Sequence, residues 1–510
     1  MTTVRHLLVT LPTATASPAD DARLAGVLTL LRRRARTPIV VLAADPARTR
    51  RAHPDVDVRP AHELEVALGD CDALVVAGTV HSEADFEIVA RQIVTARLLG
   101  VPAALVAVEI GAPGTVRARA WMAEVLANVE SISAADAGTA ARVQALRGRR
   151  VETAAAPELV LEPDAVPRRG VLVEAALFEA PAAGGLRDAL RGLEPHDLKT
   201  LSVTSSAPGT NGNWRAWWQT LSSADVLVTA DPAAAISALA CGTVPVFCGD
   251  AEAGAVLWRI GLGNNWVAPL ANSSTWTQAL STARSRAGRP LATRVAPLRA
   301  LGWRALGPLA DAGRAVAWSA AGASPPTRAL VAECCATLAH SRVACGDSAG
   351  ALQLLEAQTP ALGREPAWVR ARARLAALLG QDRDAVGLLE NMLENAPLDA
   401  AVRAELAQAQ WRAGDPAAAQ RTWSELARLV PGDATPWSEL ATLALLAGDG
   451  KSALRCFAEA LTRDPAHAGV RRAVAAYFVT DPSGANDFWR TVPGAAPPAP
   501  AVAGRKAPAV

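Results

Sequence analysis

SSADVLVTADPAAAISALACGTVPVFCGD, residues 222–250, is the stretch that decides the fold. DVLVTA is β-branched and apolar and predicts a buried strand, stopped in a turn by Asp231-Pro232. AAAISALAC predicts a helix ended by Cys241-Gly242-Thr243, and VPVFCGD a second buried strand with Gly249 and Asp250 at its carboxyl end. In an open parallel sheet, ligands bind beyond the carboxyl ends of the strands. The turn at residues 229–233 and the loop after Gly249 are therefore expected to line a cleft.

The same alternation extends in both directions. Upstream, HLLVTLP, PIVVLAAD, ALVVAG, AALVAVEIG, SISAAD and VETAAAPELVL predict strands, with helices of ten to fifteen residues between most of them. A doubly wound parallel sheet over residues 1–163 follows. The polar break DAVPRRG leads into a second alternation, GVLVEAAL, LKTLSVTS, the opening stretch and WVAPL, over residues 170–320. Two such domains facing each other across a cleft are the architecture of the B-type glycosyltransferase fold.

From about residue 326 to 480 the pattern is helix only, with an internal repeat. Gly346, Gly380, Gly414 and Gly448 recur at 34 residues. Ala351, Ala385, Ala419 and Ala453 keep the same register, as do Ala339, Ala373, Ala407 and Ala441, and the large apolar Leu355, Leu389, Trp423 and Phe457. Small residues let antiparallel helices approach, glycine turns the chain, and Pro397, Pro431 and Pro465 end the second helix of a pair. This resembles the tetratricopeptide repeat, with Arg372 standing where that pattern has leucine. A terminal helix near residues 471–478 is expected to follow, and the Pro/Ala-rich tail at residues 492–510 is expected to be disordered.

Composition narrows the function classes. Lys plus Arg (51) nearly balances Asp plus Glu (49), which gives no electrostatic reason to expect nucleic acid or an anionic membrane as partner. No apolar run is long enough to predict a transmembrane segment. The seven cysteines form no CxxC pair and have no histidine at zinc spacing, so reduced core cysteines in a cytoplasmic protein are expected, with no metal and no cofactor.

Residues 1–290 resemble the polysaccharide pyruvyl transferases, which move pyruvate from phosphoenolpyruvate onto a glycan. DALVVAGTVHSEAD, LLGVPAALVAVEIGAP, ISAADAGTAARVQAL and ETAAAPELVL follow that family's order of segments. The family's arginine in the third of these is Ala135 here, with Asp136 retained, and its aspartate in the fourth is Ala156. Its Arg and His positions in the central unit fall on Asp231 and Ala233. An aspartate there repels both the carboxylate and the phosphate of phosphoenolpyruvate. ALACGTVPVFCGD also resembles a helix-loop-strand segment of nucleotide-sugar glycosyltransferases, in which a helix N-terminus faces the diphosphate.

The candidate catalytic residues are Asp231, as a base or donor-orienting group, with His81 and Glu109 at strand carboxyl ends. Candidate donor and substrate contacts are Gly78, Glu83, Asp136, Thr229, Gly249, Asp250 and Glu252. The Gly-rich loop at residues 205–213 is a candidate lid, and Trp214 a sugar-stacking aromatic. Each has a structural alternative: a turn, a helix cap or packing. Three functions stay open: a glycan-directed transferase related to the pyruvyl transferases, using phosphoenolpyruvate, its repeats recruiting an acceptor or partner protein; a nucleotide-sugar-dependent protein glycosyltransferase; and a transferase-derived scaffold without activity.

Overall fold

A computed structural model describes residues 6–11, 17–34, 38–80, 82–180, 183–191, 193–194, 197–201, 214–249, 257, 262–268, 271–302, 322–363, 365–481 and 483–492. They form two compact units, residues 1–334 and 335–510, divided inside helix Pro325–Ala344. The first unit holds both sheets, and the second holds most of the repeats.

The first sheet has seven parallel strands: β1 Leu7–Thr10, β2 Ile39–Ala43, β3 Asp57–Pro60, β4 Ala73–Val80, β5 Ala103–Ile110, β6 Ser131–Ala134 and β7 Glu152–Thr153, in the order β3-β2-β1-β4-β5-β6-β7. The second has five: β8 Val171–Glu174, β9 Leu198–Leu201, β10 Val226–Thr229, β11 Val244–Cys248 and β12 Trp266–Val267, in the order β12-β11-β10-β8-β9. Every strand pair is parallel. The opening stretch is β10, helix Pro232–Cys241 and β11. Gly242 closes that helix at φ +80°, a conformation that glycine adopts without steric penalty.

Two expectations are corrected. VETAAAPELVL is a strand only at Glu152–Thr153 and then a 3-10 turn, Pro157–Val160. Pro157 has no N–H for a ladder, and the turn instead delivers Glu158 into the interior. Asp57–Pro60 is an unexpected edge strand: its charges and proline hide it from an apolar pattern but suit a sheet edge.

The two α/β halves share one apolar core. Ala19, Ala22 and Ala25 of helix Pro18–Arg34, with Ala155, Ala156 and Leu159, pack in the same cluster as Ala234, Ile236 and Leu239 of helix Pro232–Cys241. Gly26 lets the first helix sit against the 3-10 turn, since a Cβ there would lie 2.3 Å from the Pro157 carbonyl oxygen.

The repeats are tetratricopeptide-like helix pairs. Helices Pro366–Leu378 and Asp382–Asn395, Ala400–Arg412 and Pro416–Leu429, and Thr435–Leu446 and Gly450–Arg463 turn at Gly380, Gly414 and Gly448, all at positive φ. The register alanines Ala385, Ala407, Ala419, Ala441 and Ala453 are fully buried, as expected for close helix approach. The expected terminal helix is Ala468–Thr480. It is followed by an unforeseen one, Ala485–Thr491, whose Phe488 extends the last apolar cluster. Residues 493–510 lie outside the described residues. No helix among the described residues is long and apolar enough to cross a membrane. None of the seven cysteines is in a disulfide, and Cys345 is exposed rather than in the core.

Candidate functional site

The order of the first sheet reverses between β1 and β4, and that of the second between β8 and β10. Charged residues gather at the carboxyl ends near both points, as expected for ligand crevices in open α/β sheets.

In the first half, the end of β4 is irregular. Gly78 has φ +126°, and the β4–β5 register shifts between Ala77 and Thr79. On β5, Ala107 sits at φ +47° beside a second register shift, between Leu105 and Val108. A non-glycine residue in the left-handed region costs about 1 kcal/mol or more, and such strain together with bulges gathers at sites where a side chain is re-aimed. Here the result is to set Thr79 opposite Glu109. The Thr79 hydroxyl donates to Glu109 Oε2 at 3.2 Å.

Behind this pair lies a residue that the sequence reading did not single out. Arg23 is buried on helix Pro18–Arg34, and its guanidinium donates to Thr79 Oγ1 and to both oxygens of Glu158, at 3.4 and 3.2 Å. It also lies 3.7 Å from Glu109. Burial opposes the Arg23 charge, but Glu158 and Glu109 outweigh it and the cation is held firmly. Burial pushes the Glu158 carboxyl up, against the pull of Arg23. A lone arginine in the apolar run ARLAGVLTLL was the signal available in the sequence.

In the second half, Glu174 at the end of β8 accepts from the Thr229 hydroxyl (2.7 Å) and the Ala230 N–H (2.8 Å). Asp231 caps helix Pro232–Cys241 by accepting from Ala233 N–H at 2.8 Å, and its own N–H donates to Thr229 Oγ1 at 3.0 Å. Burial raises the Asp231 carboxyl, and the negative charges of Glu174 and Asp20 add to the shift. Asp20, at the start of the first helix, is bonded to Ser17, and its charge bears weakly on both Arg23 and Asp231.

The other expected site residues are dispersed. Asp136 is the N-cap of helix Ala137–Arg147, bonded to Thr139. Glu83 is exposed in the first turn after the Ser82–Asp85 capping box. The Gly249 carbonyl accepts from Trp266 Nε1 at 2.9 Å. Trp214 is buried in the shared core. Its indole N–H donates to the Ala52 carbonyl at 3.2 Å, and its ring stacks on His53 at 6.0 Å, so it joins the two halves as a packing residue. His81, Asp250, Glu252 and the loop at residues 205–213 lie outside the described residues.

Beside Trp214 sits a second buried polar group. Arg48 donates to Asp21 at 2.7 Å, with His53 adjacent. Burial pushes Asp21 up to about 6 despite Arg48, and pulls His53 down to about 4. Among the described residues, no cluster of three His, Cys, Asp or Glu side chains could hold a metal ion.

No protein-family model matches the chain, and no curated protein matches it. Among solved structures it is similar to a protein assigned as a UDP-N-acetylglucosamine 2-epimerase from Listeria monocytogenes, at 8% identity over 62% of this chain and 99% of that one, with a TM-score of 0.40. It is also similar to MurG of Acinetobacter baumannii, at 14% identity over 58% of this chain and 99% of that one, TM-score 0.32. A third similarity is to MamA, at 20% identity over 27% of this chain and 78% of that one, TM-score 0.23. Likenesses at this level assign no function.

Proposed function

We propose that the α/β unit is a glycan-directed transferase of the glycosyl-transfer kind, and that the repeats hold its protein acceptor or partner. The observation that carries this is the Glu109 carboxylate: partly exposed at a strand end, oriented by Thr79, steadied by Arg23 and set there by two strand irregularities. A carboxylate so held accepts the proton of a sugar or side-chain hydroxyl as that oxygen attacks an anomeric carbon. Asp20, Glu174 and Asp231 add acceptors suited to the hydroxyls of a sugar. Donor contacts fall to Gly249, Asp250 and Glu252, whereas Thr229 is fully buried with its hydroxyl bonded to Glu174 and Asp231.

A nucleotide sugar suits this site better than phosphoenolpyruvate. Phosphoenolpyruvate needs cations for a carboxylate and a phosphate together, whereas Arg23 is buried and already carries Glu158 and Glu109. Calorimetric titration with UDP, GDP and phosphoenolpyruvate tests the choice. Saturable binding of a nucleotide alone is expected, and binding of phosphoenolpyruvate alone would return the pyruvyl reading.

The scaffold reading has two observations in its favour. The apolar core shared by the two halves resists hinge opening, and Asp231 occupies the helix N-terminus where a diphosphate would sit. Absence of turnover with every donor, together with intact partner binding, would establish it.

A further inference from the structure

One position of the helical array breaks its own rule. Eight residues before each turn glycine, the other copies place a buried leucine: Leu338, Leu406 and Leu440. The second copy has Arg372, half-buried. Its neighbours on the same helix, Arg370 and Arg374, both reach Glu405, at 2.9 and 2.5 Å, and Arg412 reaches Asp382 at 3.0 Å. Arg372 makes no ion pair among the described residues.

A cavity of about 460 Å³ opens beside Arg372, lined by Leu352, Leu355, Leu375 and Leu388, with Thr359 at its wall. It lies between both helices of the second copy and helix Ser348–Leu362 of the first. The space beside Gly387 is open, since a Cβ there would meet nothing within 4 Å. Leu352 is 38% exposed at the mouth. Glu356, Asp384 and Arg383 also line the cavity and are exposed, so they form a mixed-charge rim and leave Arg372 as the inner charge.

We infer that this cavity is a docking site for a protein segment that presents a leucine-type side chain beside an aspartate or glutamate. A half-buried guanidinium without a partner gains most from a carboxylate brought to it, because charge-assisted hydrogen bonds strengthen as water leaves. The leucines supply the apolar contact, and the volume lies in the range of specific ligand pockets, roughly 300–1,000 Å³. The Gln381 amide, also at the wall, can bond a peptide backbone, which an aliphatic acid lacks. The site is independent of what the α/β unit catalyses.

The test uses the full chain and a fluorescein-labelled capped peptide, Ser-Leu-Glu-Leu-Leu-Ser, beside its glutamine counterpart, read by fluorescence anisotropy. The glutamate peptide should bind saturably, and the glutamine peptide on the order of tenfold more weakly. Arg372→Leu restores the residue of the other copies and should fold, yet it should lose on the order of tenfold in affinity. Gly387→Leu fills the cavity and should lose a similar amount. Arg374→Leu, whose charge is already taken by Glu405, should bind as the wild type does. The proposal is overturned if the wild type shows no saturable binding, if Arg372→Leu or Gly387→Leu binds unchanged, if the glutamine peptide binds equally well, or if Arg374→Leu loses as much as Arg372→Leu.

Discussion

The junction between the α/β halves holds two groups whose titrations oppose each other, and separating them tests the packing there. His53 is buried neutral, with its pKa at about 4 against an ordinary 6.5. Between pH 7 and pH 5 the unfolded imidazole gains a proton that the buried one refuses, so acidification removes about 2 kcal/mol of stability. Asp21 is displaced the other way, to about 6 from 3.8. Over the same interval the native carboxyl gains a proton that the unfolded one does not, which adds about 1 kcal/mol. Together these two groups should therefore cost the wild type only about 0.5 kcal/mol between pH 7 and pH 5. His53→Phe keeps an aromatic ring against Trp214 but cannot titrate, and it should become more stable on acidification by about 1 kcal/mol. Asp21→Asn should lose about 2 kcal/mol instead. Urea unfolding followed by tryptophan fluorescence at the two pH values reads these slopes, and constant offsets from lost contacts drop out. If both variants drift in the same direction as the wild type, His53 and Asp21 are not buried as the structure places them.

Arg23→Met strands Glu158 in the interior and should destabilise the α/β unit by roughly 3–5 kcal/mol, whereas Arg23→Met with Glu158→Met should recover much of the loss; denaturant midpoints of the two variants decide this. Arg372→Leu should raise the melting temperature of the helical array, because a leucine buried at that position contributes about 1–2 kcal/mol. A fall, measured by circular dichroism, would show that Arg372 is needed for packing. Ala441→Leu, at a fully buried helix contact, should cost about 1–3 kcal/mol by overpacking, while the same change at exposed Ala357 should be near neutral in the same melts.

The sequence announced the layer pattern well because both of its periods are strong. Buried parallel strands such as ALVVAG are uniform apolar runs, and the glycine and alanine registers of the repeats fix the helix pairs. Glu109 and Thr229 are candidates through their places at strand ends, and the structure puts Glu109 partly exposed and Thr229 fully buried. Arg23 and Glu158 lie 135 residues apart and meet only when helix Pro18–Arg34 packs on the 3-10 turn Pro157–Val160, so no local pattern joins them. Trp214 beside a glycine-rich loop suggested a ligand platform, but an indole N–H facing the Ala52 carbonyl makes it a seam between the halves. Asp136 and the Ser82–Asp85 pair show the same limit: a capping carboxylate and a catalytic one have the same spacing, and only their hydrogen-bond partners separate them.

The direct measurement is donor turnover by the wild type and by Glu109→Gln, with UDP- and GDP-sugars and hydroxyl acceptors, scored as nucleoside diphosphate released. Turnover by the wild type is expected, with kcat reduced on the order of a hundredfold or more in Glu109→Gln and donor affinity unchanged. Undiminished turnover in Glu109→Gln, or none with any donor in the wild type, would contradict the assignment of Glu109 as the base of a glycosyl transfer.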